Sequence, residues 1–477
     1  MSPQKTQRLA TLLAALACAC SPAPEERPNI LLITLDTTRA DRLGCYGWTA
    51  ATTPNIDALA ARGVRFELAL STAGITPMAH ASILTGLNPY HHGLRVFHGE
   101  AGHHLPDHIP TLAETLSAAG YTTAGFVSAY PLSPHYGLDQ GFATYATGIE
   151  DTQASIDLTQ PVRSLREGQL IDQRRSRVQR RADATTDEAL EWLEDRDPKA
   201  PWFAWVHFFD VHDLSLVPPL SWAEAHDLNY AAAPHQRDLQ AREAYYDMEL
   251  AWMDSQLGRL FDHLESSGAL DNTLIVLTAD HGQGLSDGQR LHGWSRHRLI
   301  YQWSIQVPLL LAGPKIPQGQ VVQALARITD IVPTLLELLN LSPPAPMDGA
   351  SLMPLIAGTP VAPRLAYADA LNTLDTHAPL PRLPLNCRDD LHAVFDGRFK
   401  LIHHRNTPAE SELYDLDNDP GEQHNLFTQD PHTAERLRAF LLEEDALKIQ
   451  ADTGSGAGPD AGSLNQLGYT GEGSRPK

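Results

Sequence analysis

The chain has 477 residues, of which 42% are hydrophobic and 20% charged, an ordinary balance for a folded globular protein. That length exceeds one small core and suits a large domain with a smaller companion. The formal charge of −22 argues against nucleic acid as a partner, because phosphate backbones are gripped by concentrated basic surface. The longest basic run, Arg174 to Arg181, sits in a polar stretch and reads as a solvated helix face.

The N-terminus reads as an export signal over residues 1–20. Lys5 and Arg8 form a positive start, and Leu9 to Ala19 is apolar but too short to span a bilayer. Cys18 and Cys20 follow small residues and precede a polar linker, a pattern similar to a lipoprotein signal. An ordinary signal peptide and a lipid anchor at Cys18 or Cys20 both fit, so an exported, periplasmic or cell-surface protein is expected. That anchor would be the only membrane attachment. Only Cys45 and Cys387 remain beyond the signal, so no disulfide framework is readable.

Three near-continuous apolar runs follow the pattern of strands covered on both faces, as in a parallel sheet. They are Asn29 to Leu35, ending at Asp36; Trp202 to Phe209, ending at Asp210-Val211-His212-Asp213; and Asn272 to Thr278, ending at Ala279-Asp280-His281-Gly282. Helical patterns lie between them at Asn55 to Arg62, Thr111 to Ala119, Ala184 to Leu193 and Tyr245 to Ser266. The alternation predicts an α/β doubly wound sheet with helices on both faces. Such sheets bind ligands beyond the carboxyl ends of their strands, where these Asp and His residues gather. His207 lies inside its strand and is expected to be structural.

From Arg388 the character changes. A hairpin with its turn at Asp396-Gly397, a strand at Leu413 to Leu416 and an amphipathic helix at Ala434 to Leu447 predict a small C-terminal α+β subdomain over 388–447. The main domain then covers 27–387. Residues 451–477 are rich in Gly, Ser and Asp and read as a disordered tail.

Several ordered blocks resemble the sulfatase family of the alkaline-phosphatase-like superfamily. They are Arg27 to Asp36 with Asp41 to Gly47, Thr53 to Asp57 with Gly63 to Phe66, Ala81 to Pro89, Thr111 to Glu114, Asp330 to Leu336, and Leu413 to Glu422. The resemblance runs from about residue 27 to 426. It implies an alkaline-phosphatase-like fold and a metal-dependent hydrolase of sulfate or phosphate esters. The substrate would be a small anionic ester or a sulfated or phosphorylated glycan or lipid.

The departures from the family pattern are specific. Sulfatases carry a Cys or Ser, converted to formylglycine, in a Cys/Ser-x-Pro-x-Arg motif. Here the segment reads Thr76-Pro77-Met78-Ala79-His80, with Thr76 in the nucleophile position and His80 in place of arginine. A threonine hydroxyl can itself attack phosphorus or sulfur when a metal lowers its pKa. Thr76 before Pro77 also suits an N-cap and N1 pair. The family's Asp-Asp and Asp-Asn metal pairs read Asp36-Thr37 and Asp280-His281. With Thr76 these residues form a ligand set resembling that of threonine-dependent phosphotransferases. The imidazole favours zinc or manganese over calcium. Asp210 is a further candidate ligand, and His212 and His292 are candidates to protonate the leaving oxygen.

The family's two sulfate-gripping lysines have no counterpart. No lysine lies between Lys5 and Lys199, or between His281 and Lys315. His80, His92, His103 and His104 are the candidate replacements. A phosphodiesterase or phosphoryl transferase using Thr76 covalently, and a non-catalytic metal-binding relative, are the competing readings.

Overall fold

The computed structural model describes residues 27–97, 99, 101–147, 179–212, 218–226, 239–285, 298–375 and 388–448. The signal segment, Arg174 to Arg177, Asp213, His292 and the 451–477 tail lie outside them.

Nine strands form the main sheet: β1 (Asn29–Leu35), β2 (Gly63–Leu70), β3 (Thr122–Phe126), β4 (Thr144–Ala146), β5 (Trp202–Phe208), β6 (Thr273–Thr278), β7 (Gln306–Ala312), β8 (Gln320–Val322) and β9 (Ala326–Arg327). Their order is β4-β3-β5-β1-β6-β7-β2-β8, with β9 also on β2. At the centre, β1 runs parallel to β5 and β6, while β7 is antiparallel to both β6 and β2. The sheet is therefore mixed rather than wholly parallel. Because β5, β1 and β6 are parallel neighbours, Asp210, Asp36 and Asp280 follow the same ends of adjacent strands.

The helices that cover this sheet are α1 (Pro54–Ala61), α2 (Thr76–Thr85), α3 (Leu112–Ala118), α4 (Ala182–Asp195), α5 (Leu239–Ser266) and α6 (Ile331–Leu338). Thr111 and Glu114 close a reciprocal capping box at the start of α3. Side chains alternate along each strand, so each central strand feeds both layers. Ile30, Leu32, Phe203, Trp205, Leu274 and Val276 join the core that contains α2 and α6. Leu31, Ile33, Ala204, Val206, Ile275 and Leu277 join the core built on α5. All ten residues of α2 are buried, so this helix lies inside the molecule rather than on its surface.

The second sheet is antiparallel, β10 (Ala366–Leu371), β11 (Asp390–Phe395), β12 (Phe399–His404) and β13 (Glu412–Asp415), with α7 (Pro431–Glu443) packed on it. The subdomain thus begins upstream of the expected boundary at 388. Ala366-Tyr367-Ala368-Asp369-Ala370-Leu371 is alanine-rich and gives little strand signal, yet pairs along its whole length with β11. Asp369 N–H also donates to Thr72 O at 3.0 Å, which docks the small sheet on the loop leading into α2.

The end of the basic run corrects the solvated-face expectation. Arg180 and Arg181 are 0% and 2% exposed. Arg180 pairs with Glu188, and Arg181 grips both Asp183 oxygens at 2.9 Å. Burial of a guanidinium requires such partners, and they come from α4 itself.

Candidate active site

Alternation along the central strands also builds the site. Thr34 and Asp36 continue the Ile30 and Leu32 face of β1. His207 continues the Trp205 face of β5, and Asp280 continues the Val276 face beyond β6. These polar residues therefore stand beneath the N-terminus of α2. Asp36, Asp280 and His281 each offer a ligand atom, all within 4.8 Å of one another, and all three residues are fully buried.

Each carboxylate has one oxygen anchored by two donors and one without a hydrogen-bond partner among the described residues, although Asp280 Oδ2 lies 3.4 Å from His281 Nε2 and 3.6 Å from His80 Nδ1. Asp280 Oδ1 accepts the backbone N–H of Thr37 at 3.1 Å and of His281 at 2.7 Å. Asp36 Oδ2 accepts the Thr76 hydroxyl at 3.1 Å and lies 3.3 Å from His207 Nε2. Asp36 Oδ1, Asp280 Oδ2 and the Thr37 hydroxyl are buried without a hydrogen-bond partner among the described residues. Burial first, and then the neighbouring Asp280 charge, push the Asp36 pKa well above the usual carboxylate range. A divalent cation beside Asp36 would offset both effects and favour its ionised form.

The protons complete the fit test. His281 Nδ1 lies 3.0 Å from the Gly282 carbonyl, an acceptor, so Nδ1 carries the hydrogen and Nε2 the lone pair in the neutral ring. Nε2 is 3.3 Å from Thr76 Oγ1. One hydroxyl proton cannot serve both Asp36 Oδ2 and His281 Nε2, so with Asp36 as acceptor two lone pairs meet at that contact. Bare carboxylate oxygens and converging lone pairs suit a divalent cation held by Asp36, Asp280, His281 and Thr76. A mixed oxygen and imidazole set is open to several divalent metals.

Thr76 is not the helix cap. Ile75 occupies the N-cap, Thr76 is the first helical residue, and its hydroxyl reaches across to β1. His80 lies one turn on, and its Nδ1 donates to the Thr76 carbonyl at 2.8 Å. Its Nε2 then accepts from the Thr34 hydroxyl at 3.0 Å, and Thr34 in turn accepts from Trp205 Nε1–H at 2.9 Å. This chain of bonds fastens the start of α2 to β1 and β5.

Burial holds the His80 pKa down, and that of His92 down to about 3. Neither therefore supplies the positive charge of a missing lysine. His104 Nδ1 bonds the His135 carbonyl and His103 Nδ1 the Gly99 carbonyl, in the loops before α3.

Thr37 has φ +52°, in the left-handed region that a β-branched residue rarely adopts. Tyr246 on α5 brackets it, donating to the Thr37 carbonyl at 2.9 Å and accepting Arg39 N–H at 3.0 Å.

Asp210 stands outside the three-residue cluster. Its Oδ1 accepts Ala182 N–H at 3.0 Å at the start of α4, and burial pushes its pKa up to about 8. His212 stacks on Phe209 with ring centroids 4.1 Å apart. Burial and the nearby His281 and His207 rings drive its pKa well below the usual histidine range. It is held neutral, which makes it a poor resting proton donor. Sequence reasoning gave His207 a structural place and did not single out Thr34, Trp205 or Tyr246. The two-residue spacing of His207 from Phe209 and Trp205 was the available signal for the first.

The fold and this site define an alkaline-phosphatase-like hydrolase. The sulfatase family model matches residues 28–341, and the N-sulphoglucosamine sulphohydrolase C-terminal model matches residues 290–446. The chain belongs to the sulfatase family and is a sulfatase-like hydrolase acting on ester bonds. It is 25% identical to an N-acetylglucosamine-6-O-sulfatase of Bacteroides thetaiotaomicron, over 92% of this chain and 90% of that one. It is 27% identical to an arylsulfatase of Clostridium perfringens, over 88% and 94%. The structure of a phosphonate monoester hydrolase of Agrobacterium radiobacter superposes with a TM-score of 0.69 at 25% identity, covering 88% of this chain and 96% of that chain.

Proposed function

We propose that the protein hydrolyses sulfate or phosphate esters with Thr76 as the attacking nucleophile and a divalent cation, zinc or manganese, held by Asp36, Thr76, Asp280 and His281. The observation that carries this reading is the Thr76 hydroxyl, 3.1 Å from Asp36 Oδ2 and 3.3 Å from His281 Nε2, at the first turn of a buried helix. A cation bound there would supply positive charge to lower the hydroxyl pKa and offset charge developing on the ester oxygens. The hydroxyl proton leaves along its bond to Asp36 Oδ2. Oγ1 then forms a bond to sulfur or phosphorus as the bond to the leaving oxygen breaks, and water afterwards attacks the same centre, releasing sulfate or phosphate while Thr76 Oγ1 takes back its proton. The N-terminus of α2 faces that developing charge with its helix dipole. The His80, Thr34 and Trp205 chain holds the Thr76 backbone in place, so His80 positions the nucleophile rather than gripping substrate. Buried His212 is held neutral, so the leaving oxygen takes its proton from solvent or from His292.

The named glycan sulfatases among the relatives support a sulfated glycan as substrate. The absence of both lysines and the pairing of Asp280 with His281 favour a second reading, in which the same covalent attack by Thr76 falls on phosphorus, as in a phosphodiesterase or phosphoryl transferase. The apolar leader ending at Cys18 and Cys20 supports export, with lipidation at one of them. Mass spectrometry of the mature N-terminus tests that, and intact Met1 on cytosolic protein would refute it.

Metal analysis and a panel of aryl sulfate, phosphate monoester, diester and phosphonate test the chemistry. Zinc or manganese is expected, and His281→Asn should lose it. Thr76→Ala should lower turnover by at least about 100-fold while leaving the melting temperature near the parent's, and Thr76→Ser should keep part of the activity. Full turnover by Thr76→Ala would remove the hydroxyl from the reaction.

A further inference from the structure

His207 is fully buried in β5, beside Thr34 in the register with β1. Its two ring nitrogens have different partners. The backbone N–H of Ser128 points at Nδ1 at 3.2 Å, so Nδ1 is an acceptor and carries no hydrogen. The ring hydrogen is therefore on Nε2, which lies 3.3 Å from Asp36 Oδ2. Ser128 is itself fixed, since its hydroxyl donates to the His207 carbonyl at 2.6 Å and lies 2.6 Å from the Thr185 hydroxyl. The loop after β3 thus sets the tautomer of a histidine on β5, and that histidine donates to a carboxylate at the end of β1.

We propose that His207 is a positioning residue for the metal site. Its Nε2–H pins Asp36 Oδ2 beside the Thr76 hydroxyl and leaves Oδ1 as the oxygen offered to the cation. Without that donor the Asp36 carboxylate has only the Thr76 hydroxyl to fix its rotation. Both oxygens would then compete for the cation, and the nucleophile would lose its fixed acceptor. A hydrogen-bond partner of this kind typically changes metal affinity by about 10–100-fold when removed. The competing account is that His207 only fills space between Trp205, His80 and Phe209, whose ring centroids lie 6.4, 5.1 and 6.1 Å away.

The inference rests on Asp36, Asp280 and His281 holding a metal, and the experiment separates the two failures. The full chain is stripped with chelator and titrated with zinc and with manganese separately, as parent, His207→Phe and His207→Gln. The melting temperature of each metal-free form is measured alongside. His207→Phe keeps the ring packing and removes the donor, so affinity should fall about 10–100-fold. His207→Gln, whose amide restores an N–H, should recover much of it. A His207→Phe protein that binds metal as tightly as the parent overturns the proposal, whatever its melting temperature. A parent that takes up neither metal overturns the metal reading and this proposal together. Nitrogen-15 shifts of the His207 ring in the parent decide the matter if His207→Phe does not fold. A protonated Nε2 and bare Nδ1 in the metal-loaded protein are expected. A bare Nε2 would make His207 a ligand and overturn the positioning role.

Discussion

Tyr246→Phe removes one oxygen atom far along the chain from the site and should still be felt there. The hydroxyl is buried, donates to the Thr37 carbonyl at 2.9 Å and accepts Arg39 N–H at 3.0 Å. Thr37 is held at φ +52°, a conformation that costs about 1–3 kcal/mol for such a residue. Removing the hydroxyl leaves two buried backbone groups unsatisfied, at about 1–3 kcal/mol each, less the hydroxyl's own desolvation. A net loss of about 2–4 kcal/mol follows. At roughly 1 kcal/mol per kelvin for a 477-residue chain, the melting temperature should fall by about 2–4 °C. Thr37 N–H also anchors Asp280 Oδ1, so metal affinity should weaken with it. Differential scanning calorimetry and metal titration read the two effects. In a Thr37→Gly background the same substitution should cost as much or more, because the same two backbone groups are left unsatisfied and no strain remains to be released. A Tyr246→Phe protein that melts with the parent and binds metal equally well would refute the bracket. So would a clearly smaller loss in the Thr37→Gly background.

The remaining expectations concern buried charge. Lys400 and Glu422 pair at 2.7 Å with side chains 0% and 2% exposed, and Glu422 also accepts Gln302 N–H at 2.6 Å. Lys400→Met alone should destabilise by about 3–5 kcal/mol in chemical denaturation, and Lys400→Met with Glu422→Leu by clearly less, because only the single change leaves an unpaired buried charge. Equal losses would show that packing, not charge, dominates there. Asp210, with its pKa pushed up to about 8 by burial, stays protonated when folded but ionises near pH 4 when unfolded. The folded state then binds more protons between those values, so its stability falls as pH rises from about 4 to 8. Asp210→Asn keeps an acceptor for Ala182 N–H and should melt above the parent at pH 8, with the gap closing near pH 4. A gap independent of pH would refute this assignment.

The central strands were legible because each is a near-continuous apolar run closed by an aspartate, and burial on both faces leaves that mark in any sequence. The antiparallel direction of β7 was not, since Gln306–Ala312 is just as apolar as a parallel neighbour. Strand β10 was missed for the opposite reason. Its alternating alanines carry little β signal, and only pairing with β11 and the bond from Asp369 N–H to Thr72 O make it a strand. Arg180 and Arg181 were misread because charge alone cannot announce its partners, and these lie on a helix that begins only at Ala182.

In the site, the cluster of Asp36, Asp280 and His281 was legible in the residues that end the strands. The roles of the other histidines were not, because each depends on which ring nitrogen carries the hydrogen. His281 and His80 are held with hydrogen on Nδ1 by carbonyls, whereas a backbone N–H from the loop after β3 holds His207 with hydrogen on Nε2. The first choice leaves His281 a lone pair beside the Thr76 hydroxyl, and the last gives Asp36 a donor. The His207 choice helps anchor Asp36 Oδ2, while backbone N–H groups of Thr37 and His281 anchor Asp280 Oδ1. No residue letter carries that information, since it resides in carbonyls and N–H groups that any sequence possesses. A histidine at such a site therefore becomes ligand, strut or donor according to the backbone group at its far nitrogen. Moving that backbone group should change the role without changing the residue.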